Sequence, residues 1–97
     1  MTRQLVVEQP TRIVNPAGMH ARPAAELVKL ASKFESEITV SKGDLTVNAK
    51  SIMGVMMLAA ECGSQITIRA VGPDAARAVS SLAALVARGF DEEEGEL

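Results

Sequence analysis

The chain carries one histidine, and the residues around it read Asn15-Pro16-Ala17-Gly18-Met19-His20-Ala21-Arg22-Pro23-Ala24. Asn15, Pro16 and Gly18 are turn formers, whereas from Pro23 onward Leu27, Leu30, Ala31 and Phe34 recur at the i, i+3, i+4, i+7 spacing of one buried helical face. His20 therefore falls where a loop becomes a helix. The first backbone N–H groups of a helix lack partners within it and the dipole there is positive, so such an end suits an anion. The same field disfavours imidazolium and should keep His20 neutral and nucleophilic near pH 7. Arg22 adds a fork-shaped donor two residues on. Pro23 fits the first turn because its missing N–H would have been unbonded there. It also biases Arg22 away from helical angles, which leaves the first helical residue open. A phosphoryl group placed on His20 would meet these N–H groups and Arg22. A lone histidine before a helix also serves as a cap or a surface residue, and spacing alone does not separate the two readings.

The elements that must position this site can be followed along the chain. Residues 1–8 are ambiguous: Leu5-Val6-Val7 could begin a strand, but Pro10 interrupts it. Residues 11–14 read better as a strand, and the first helix spans roughly 21–33. Residues 37–41 alternate, with Ile38 and Val40 on one face. Lys42-Gly43-Asp44 is a turn, and Leu45, Val47 and Ala49 alternate in the strand that returns, which makes a hairpin. Ser51 is a natural helix N-cap, followed by an apolar face of Ile52, Val55, Met56 and Ala59. That helix should be short, ending near Cys62-Gly63, and its Gly54 costs about 1 kcal/mol of propensity. Residues 65–71 form a strand with Ile66, Ile68 and Ala70 inward. Gly72-Pro73 turns the chain and Asp74 caps a third helix. There Ala75, Ala78, Val79, Leu82, Leu85 and Val86 make a buried stripe, stopped by Gly89. The order β-α-β-β-α-β-α, with three apolar helical faces, predicts an α+β two-layer sandwich with the helices on one side of the sheet.

Ninety-seven residues make one domain with a modest core. Two Phe, with no Trp or Tyr, argue against stacking on single-stranded nucleic acid. No apolar run reaches membrane-spanning length and the N-terminus lacks a secretory pattern, so no membrane insertion and a cytoplasmic location are expected. The net charge of −2 hides an asymmetry, because Asp91, Glu92, Glu93, Glu94 and Glu96 supply five of the twelve acids. The remaining body has ten basic and seven acidic residues, and residues 91–97 are expected to be a solvated, disordered acidic tail. Cys62 is the single cysteine, so no internal disulfide forms, and with one His and one Cys no metal site is expected. Met53, Met56 and Met57 crowd the second helix beside Ile52, more apolar surface than so short a helix can bury. Met56 suits the core best, and some of the others should be exposed, where Met adapts well to partners.

Gly18-Met19-His20-Ala21-Arg22-Pro23-Ala24 closely resembles the active-centre motif of HPr, the histidine-containing phosphocarrier of the bacterial phosphotransferase system. Val47-Asn48-Ala49-Lys50-Ser51-Ile52-Met53-Gly54-Val55-Met56 resembles the family's regulatory-serine segment, and the likeness covers roughly residues 11–89. The resemblance implies a single domain with a four-stranded antiparallel sheet and three helices on one face, an N-terminal extension at 1–8 and no cofactor. It also implies a stoichiometric carrier rather than an enzyme, expected to be a monomer. His20 would accept a phosphoryl group on Nδ1 from enzyme I, charged by phosphoenolpyruvate, and pass it to an EIIA-type acceptor; the residues alone leave the ring nitrogen open. Arg22 would help hold and release the group. Ser51 would be the target of an HPr kinase/phosphorylase where the host has one, although an N-cap serine needs no such role. A partner surface of Met19, Ala21, Ala25 and Lys29, with Ile52, Met53 and Met56, is implied beside the loop. Lys29, Arg22 and Lys50 would make it attractive to acidic partners. The rival readings are a regulatory docking module working through Ser51, the family's nitrogen-related branch, and a small hydrolase. The last lacks a nucleophile-elbow serine to partner His20.

Overall fold

The computed structural model describes residues 5–92. The elements are β1 (Val6–Arg12), α1 (Ala21–Ala31), β2 (Glu37–Lys42), β3 (Leu45–Asn48), α2 (Ile52–Met57), β4 (Gln65–Val71) and α3 (Ala75–Ala87), followed by a single turn at Gly89–Asp91. The strands form one antiparallel sheet in the order β1-β4-β2-β3. Ile66, Ile68 and Ala70 of β4 and Ile38 and Val40 of β2 are buried, while Gln65, Arg69 and Glu37 between them are exposed. One face of the sheet is therefore covered and the other open. Leu27 and Ala31 of α1, Val55 of α2, and Val79, Leu82 and Val86 of α3 fill the covered side. This is the α+β two-layer sandwich expected from the sequence. α3 lies over β1 and β4, and α1 packs against both α2 and α3. Among the described residues, no helix is long and apolar enough to cross a membrane.

Several boundaries differ from expectation. β1 starts at Val6 instead of residue 11, so residues 6–8 belong to the sheet and not to an extension. Pro10 lies in mid-strand, opposite Thr67, which a strand paired on one side only can accept. α1 ends at Ala31, two residues early. α2 ends at Met57 instead of near Cys62, because the chain turns out of the helix at Ala59, whose φ is +48°. Val55 is its one buried residue; Ile52, Met56 and Ala59 of the expected face are exposed, and Leu58 and Ala60 just beyond the helix enter the core.

Asp74 precedes α3 as expected, but its carboxylate does not cap that helix. It accepts instead from the Glu35 N–H at 2.9 Å, the Ser36 N–H at 2.9 Å and the Ser36 hydroxyl at 2.5 Å, fastening the α1–β2 connection to the start of α3. The Ser36 hydroxyl, then the Glu35 and Ser36 amides, hold the Asp74 carboxyl down at about 2 from its ordinary 3.8. A depressed carboxyl contributes stability that is complete above its ordinary value and lost as the pH falls through the depressed one. The melting temperature of the wild type should thus fall more steeply between about pH 4 and pH 2 than that of Asp74→Asn. Parallel acid dependence in the two proteins would show that this carboxylate does not govern acid stability.

Candidate functional site

The loop before α1 is built on Asn15. Its backbone carbonyl accepts from the Gly18 N–H at 3.0 Å, and its buried side-chain Nδ2 donates to the Gly18 carbonyl at 2.7 Å. Gly18 has φ +72°, and a Cβ there would stand 2.6 Å from the Ala60 carbonyl oxygen and 3.0 Å from the Glu61 Cα. Glycine is required both for the angle and for the approach. The next residue secures that approach, the Met19 N–H donating to the Ala60 carbonyl at 2.8 Å. The loop is thereby docked on the segment that follows α2. This docking also overturns one expectation: Met19 is 5% exposed and belongs to the core, so it presents no side chain to a partner.

His20 is the N-cap of α1, with extended backbone (φ −92°, ψ −171°), and its carbonyl accepts the first helical hydrogen bond from Ala24 at 3.0 Å. Its side chain caps nothing and is 42% exposed. Ala21 and Arg22 supply the N–H groups of the first turn, which point out of the helix end, and Pro23 has none to supply. Arg22 is exposed and forms no ion pair among the described residues. A half-open imidazole and two unpaired amides meet at one helix end whose first turn also carries an exposed, uncommitted Arg22, a setting for a dianion held by charge and N–H donors.

The imidazole also has a partner that local sequence rules miss. His20 Nε2 lies 3.0 Å from Glu92 Oε2, and Asn15 Nδ2 donates to Glu92 Oε1 at 3.1 Å. Because a carboxylate only accepts, Nε2 must be the donor. The two acceptors that Asn15 Nδ2 reaches likewise fix its amide orientation, and its buried Oδ1 has no partner among the described residues. Glu92 therefore departs from the solvated tail expected, whereas Asp91 stays exposed. Asp91 accepts from Arg88 Nε at 3.0 Å and Glu92 is half-buried against the loop, while residues 93–97 lie outside the described part. Neither Asn15 nor Glu92 stands out in the sequence as a site residue; the only signal was that Asn15 lies in the histidine loop.

The remaining candidate residues fall on two adjoining helices. Ala21, Ala25 and Lys29 succeed one another at i, i+4, i+8 on α1, exposed at 21 and 29 and half-buried at 25. On α2, Met53 is 74% and Met57 65% exposed, with Ile52 and Met56 also exposed, so Met56 is not the core residue its spacing suggested. Ser51 caps α2 as expected, its hydroxyl accepting from the Gly54 N–H at 3.1 Å. Lys50 is less available than expected, because its Nζ donates to the Phe34 carbonyl at 2.7 Å.

The profile described as "PTS HPr component phosphorylation site" matches residues 7–88. The phosphocarrier protein HPr of Treponema pallidum is 47% identical over 91% of this chain and 100% of its own length. The phosphocarrier protein NPr of Shewanella violacea is 41% identical over 89% of this chain and 94% of its own. The crystal structure of HPr from Thermoanaerobacter tengcongensis superposes with a TM-score of 0.86 at 45% identity, covering 90% of this chain and 98% of that one.

Proposed function

Since the chain belongs to the HPr family of phosphotransferase-system phosphocarriers, we propose that it works as a relay: His20 takes a phosphoryl group from enzyme I and hands it to an EIIA-type acceptor. The observation that carries this reading is the position of His20 at the N-cap of α1, beside the unpaired first-turn amides of Ala21 and Arg22. In phosphoryl transfer the protein has little covalent work to do, and positioning and charge provide the catalysis. The chain supplies the receiving atom and a charged cradle, and its partners supply the rest, so it acts stoichiometrically, as a cytoplasmic monomer. The surface that meets both partners is Ala21, Ala25 and Lys29 of α1 with Ile52, Met53 and Met56 of α2. It combines a large apolar patch with positive charge, which suits partners with acidic rims. The test is incubation with enzyme I and labelled phosphoenolpyruvate. One acid-labile, base-stable phosphate per chain is expected, and a chain that takes no label overturns the relay.

Ser51 is the regulatory position on this reading, the target of an HPr kinase/phosphorylase. Its hydroxyl caps α2 next to the exposed Ile52 and Met53. Aspartate is as good a cap as serine, so negative charge here is compatible with the helix but adds repulsion and desolvation at the partner surface. Ser51→Asp is expected to melt no lower than wild type and to be phosphorylated by enzyme I with a KM raised about tenfold, equivalent to 1.4 kcal/mol. A wild-type KM would leave Ser51 as a cap alone.

The similarity to NPr favours a second reading, in which the relay ends on regulators of the nitrogen-related branch instead of sugar importers. Competition between the two kinds of acceptor for labelled carrier separates these readings.

A further inference from the structure

The chain leaves α3 through three successive residues with positive φ: Gly89 (+65°), Phe90 (+58°) and Asp91 (+58°). Glycine adopts this angle freely, whereas Phe and Asp do so at a cost and persist there only when their surroundings impose it. Here the surroundings do. Phe90 is buried in the core, Asp91 N–H donates to the Arg88 carbonyl, Glu92 N–H donates to the Gly89 carbonyl, and the Arg88 guanidinium holds the Asp91 carboxylate. The turn carries Glu92 back across the histidine loop, where Asn15 grips one of its oxygens and His20 the other.

We propose that Glu92, steadied by Asn15, is a positioning residue for the transfer: its carboxylate keeps the His20 proton on Nε2, so that Nδ1 is the atom that presents a lone pair and carries the phosphoryl group. This rests on the relay reading of His20. In the charging step the Nδ1 lone pair forms the N–P bond while the bond from phosphorus to the donor atom breaks, its electron pair staying with the donor. The Nε2 proton remains where it was, and the ring becomes a cation beside the Glu92 carboxylate. In the discharging step the N–P electron pair returns to Nδ1 and the ring is neutral again, still protonated on Nε2. Neither half of the relay then requires a proton to enter or leave the ring.

The tautomer is read directly by nitrogen NMR of the full chain, at a pH where the imidazole is neutral. Wild type should show the Nε2–H form alone, and Glu92→Ala a mixture of both forms. Phosphorylation of Glu92→Ala by enzyme I and phosphoenolpyruvate should lose about tenfold in kcat with an unchanged KM, because the lost bond is one to a charged group that matters most once the ring is cationic. Glu92→Gln keeps an acceptor oxygen without the charge, and should restore the tautomer but only part of the rate. The combined variant Glu92→Ala/Glu93→Gln/Glu94→Gln ensures that no neighbouring carboxylate substitutes. A single Nε2–H form and wild-type kcat in that variant would overturn the proposal, and so would faster transfer, which would make Glu92 a cover to be displaced. Wild type that takes no label at all would instead defeat the relay reading.

Discussion

His20→Ala is expected to take no acid-labile phosphate from enzyme I and phosphoenolpyruvate, while its circular dichroism and melting curve stay close to wild type. The chain has no other imidazole to substitute. The fold loses little, because the His20 side chain is half-exposed, makes no capping bond to α1 and has Glu92 as its hydrogen-bond partner. Its backbone carbonyl, which starts the helix, is retained by alanine. A half-exposed hydrogen-bonded pair of this kind contributes on the order of 0–1 kcal/mol to folding. The two readouts must therefore separate completely, with transfer abolished and stability kept. Acid-labile label remaining on the variant would place the carrier atom elsewhere, and a collapse of the melting transition would make His20 a structural residue.

Gly18→Ala should damage both quantities at once. The added methyl carbon would meet the Ala60 carbonyl at 2.6 Å and the Glu61 Cα at 3.0 Å, and both neighbours are backbone. Alanine would also be held at φ +72°, a region that L residues rarely adopt. The loop has to lift from the segment after α2, giving up the Met19 N–H bond to Ala60 and drawing Met19 from the core. Strain and overpacking of this kind cost about 1–3 kcal/mol together. In a domain of this size, each kcal/mol lowers the melting temperature by about 4–8 °C. Because His20 follows directly, phosphoryl transfer should slow in the material that remains folded. A melting temperature within a degree of wild type would show that the loop accommodates a side chain, and that its docking is not what fixes His20.

What the sequence disclosed and what it hid divide along physical lines. The starts of α1 and α2 were legible because their signals are local: the loop-to-helix change at His20 and the Ser51 cap on Gly54 follow from residues within one turn. The inward sets of β2 and β4 were legible because period-two alternation is local as well. Pro10 was misleading, since whether a strand tolerates it depends on having an empty side, which is a property of the sheet and not of the segment. Met19 was misplaced because its burial comes from a hydrogen bond to Ala60, across the fold. Glu92 was the deepest omission. An acidic run reads as solvated, and only the left-handed turn at residues 89–91 brings one of its carboxylates to a histidine 72 residues earlier. Asp74 shows the same limit: a residue that looks like a helix cap uses its oxygens on another connection.

The position of Pro10 on an outer strand has a consequence for how copies of the molecule meet one another. An unpaired strand edge is a template on which another chain can add, and one that is long and apolar invites stacking. β1 is the longer of the two sheet margins and carries exposed Leu5 and Val6 close by, so it is the margin at risk. Proline removes a donor from the middle of that row, and a further strand laid along it would find a gap where a rung should be. The opposite margin, β3, is only four residues long and offers few rungs. Both flanks of the sheet are thus poor places to nucleate a shared ladder.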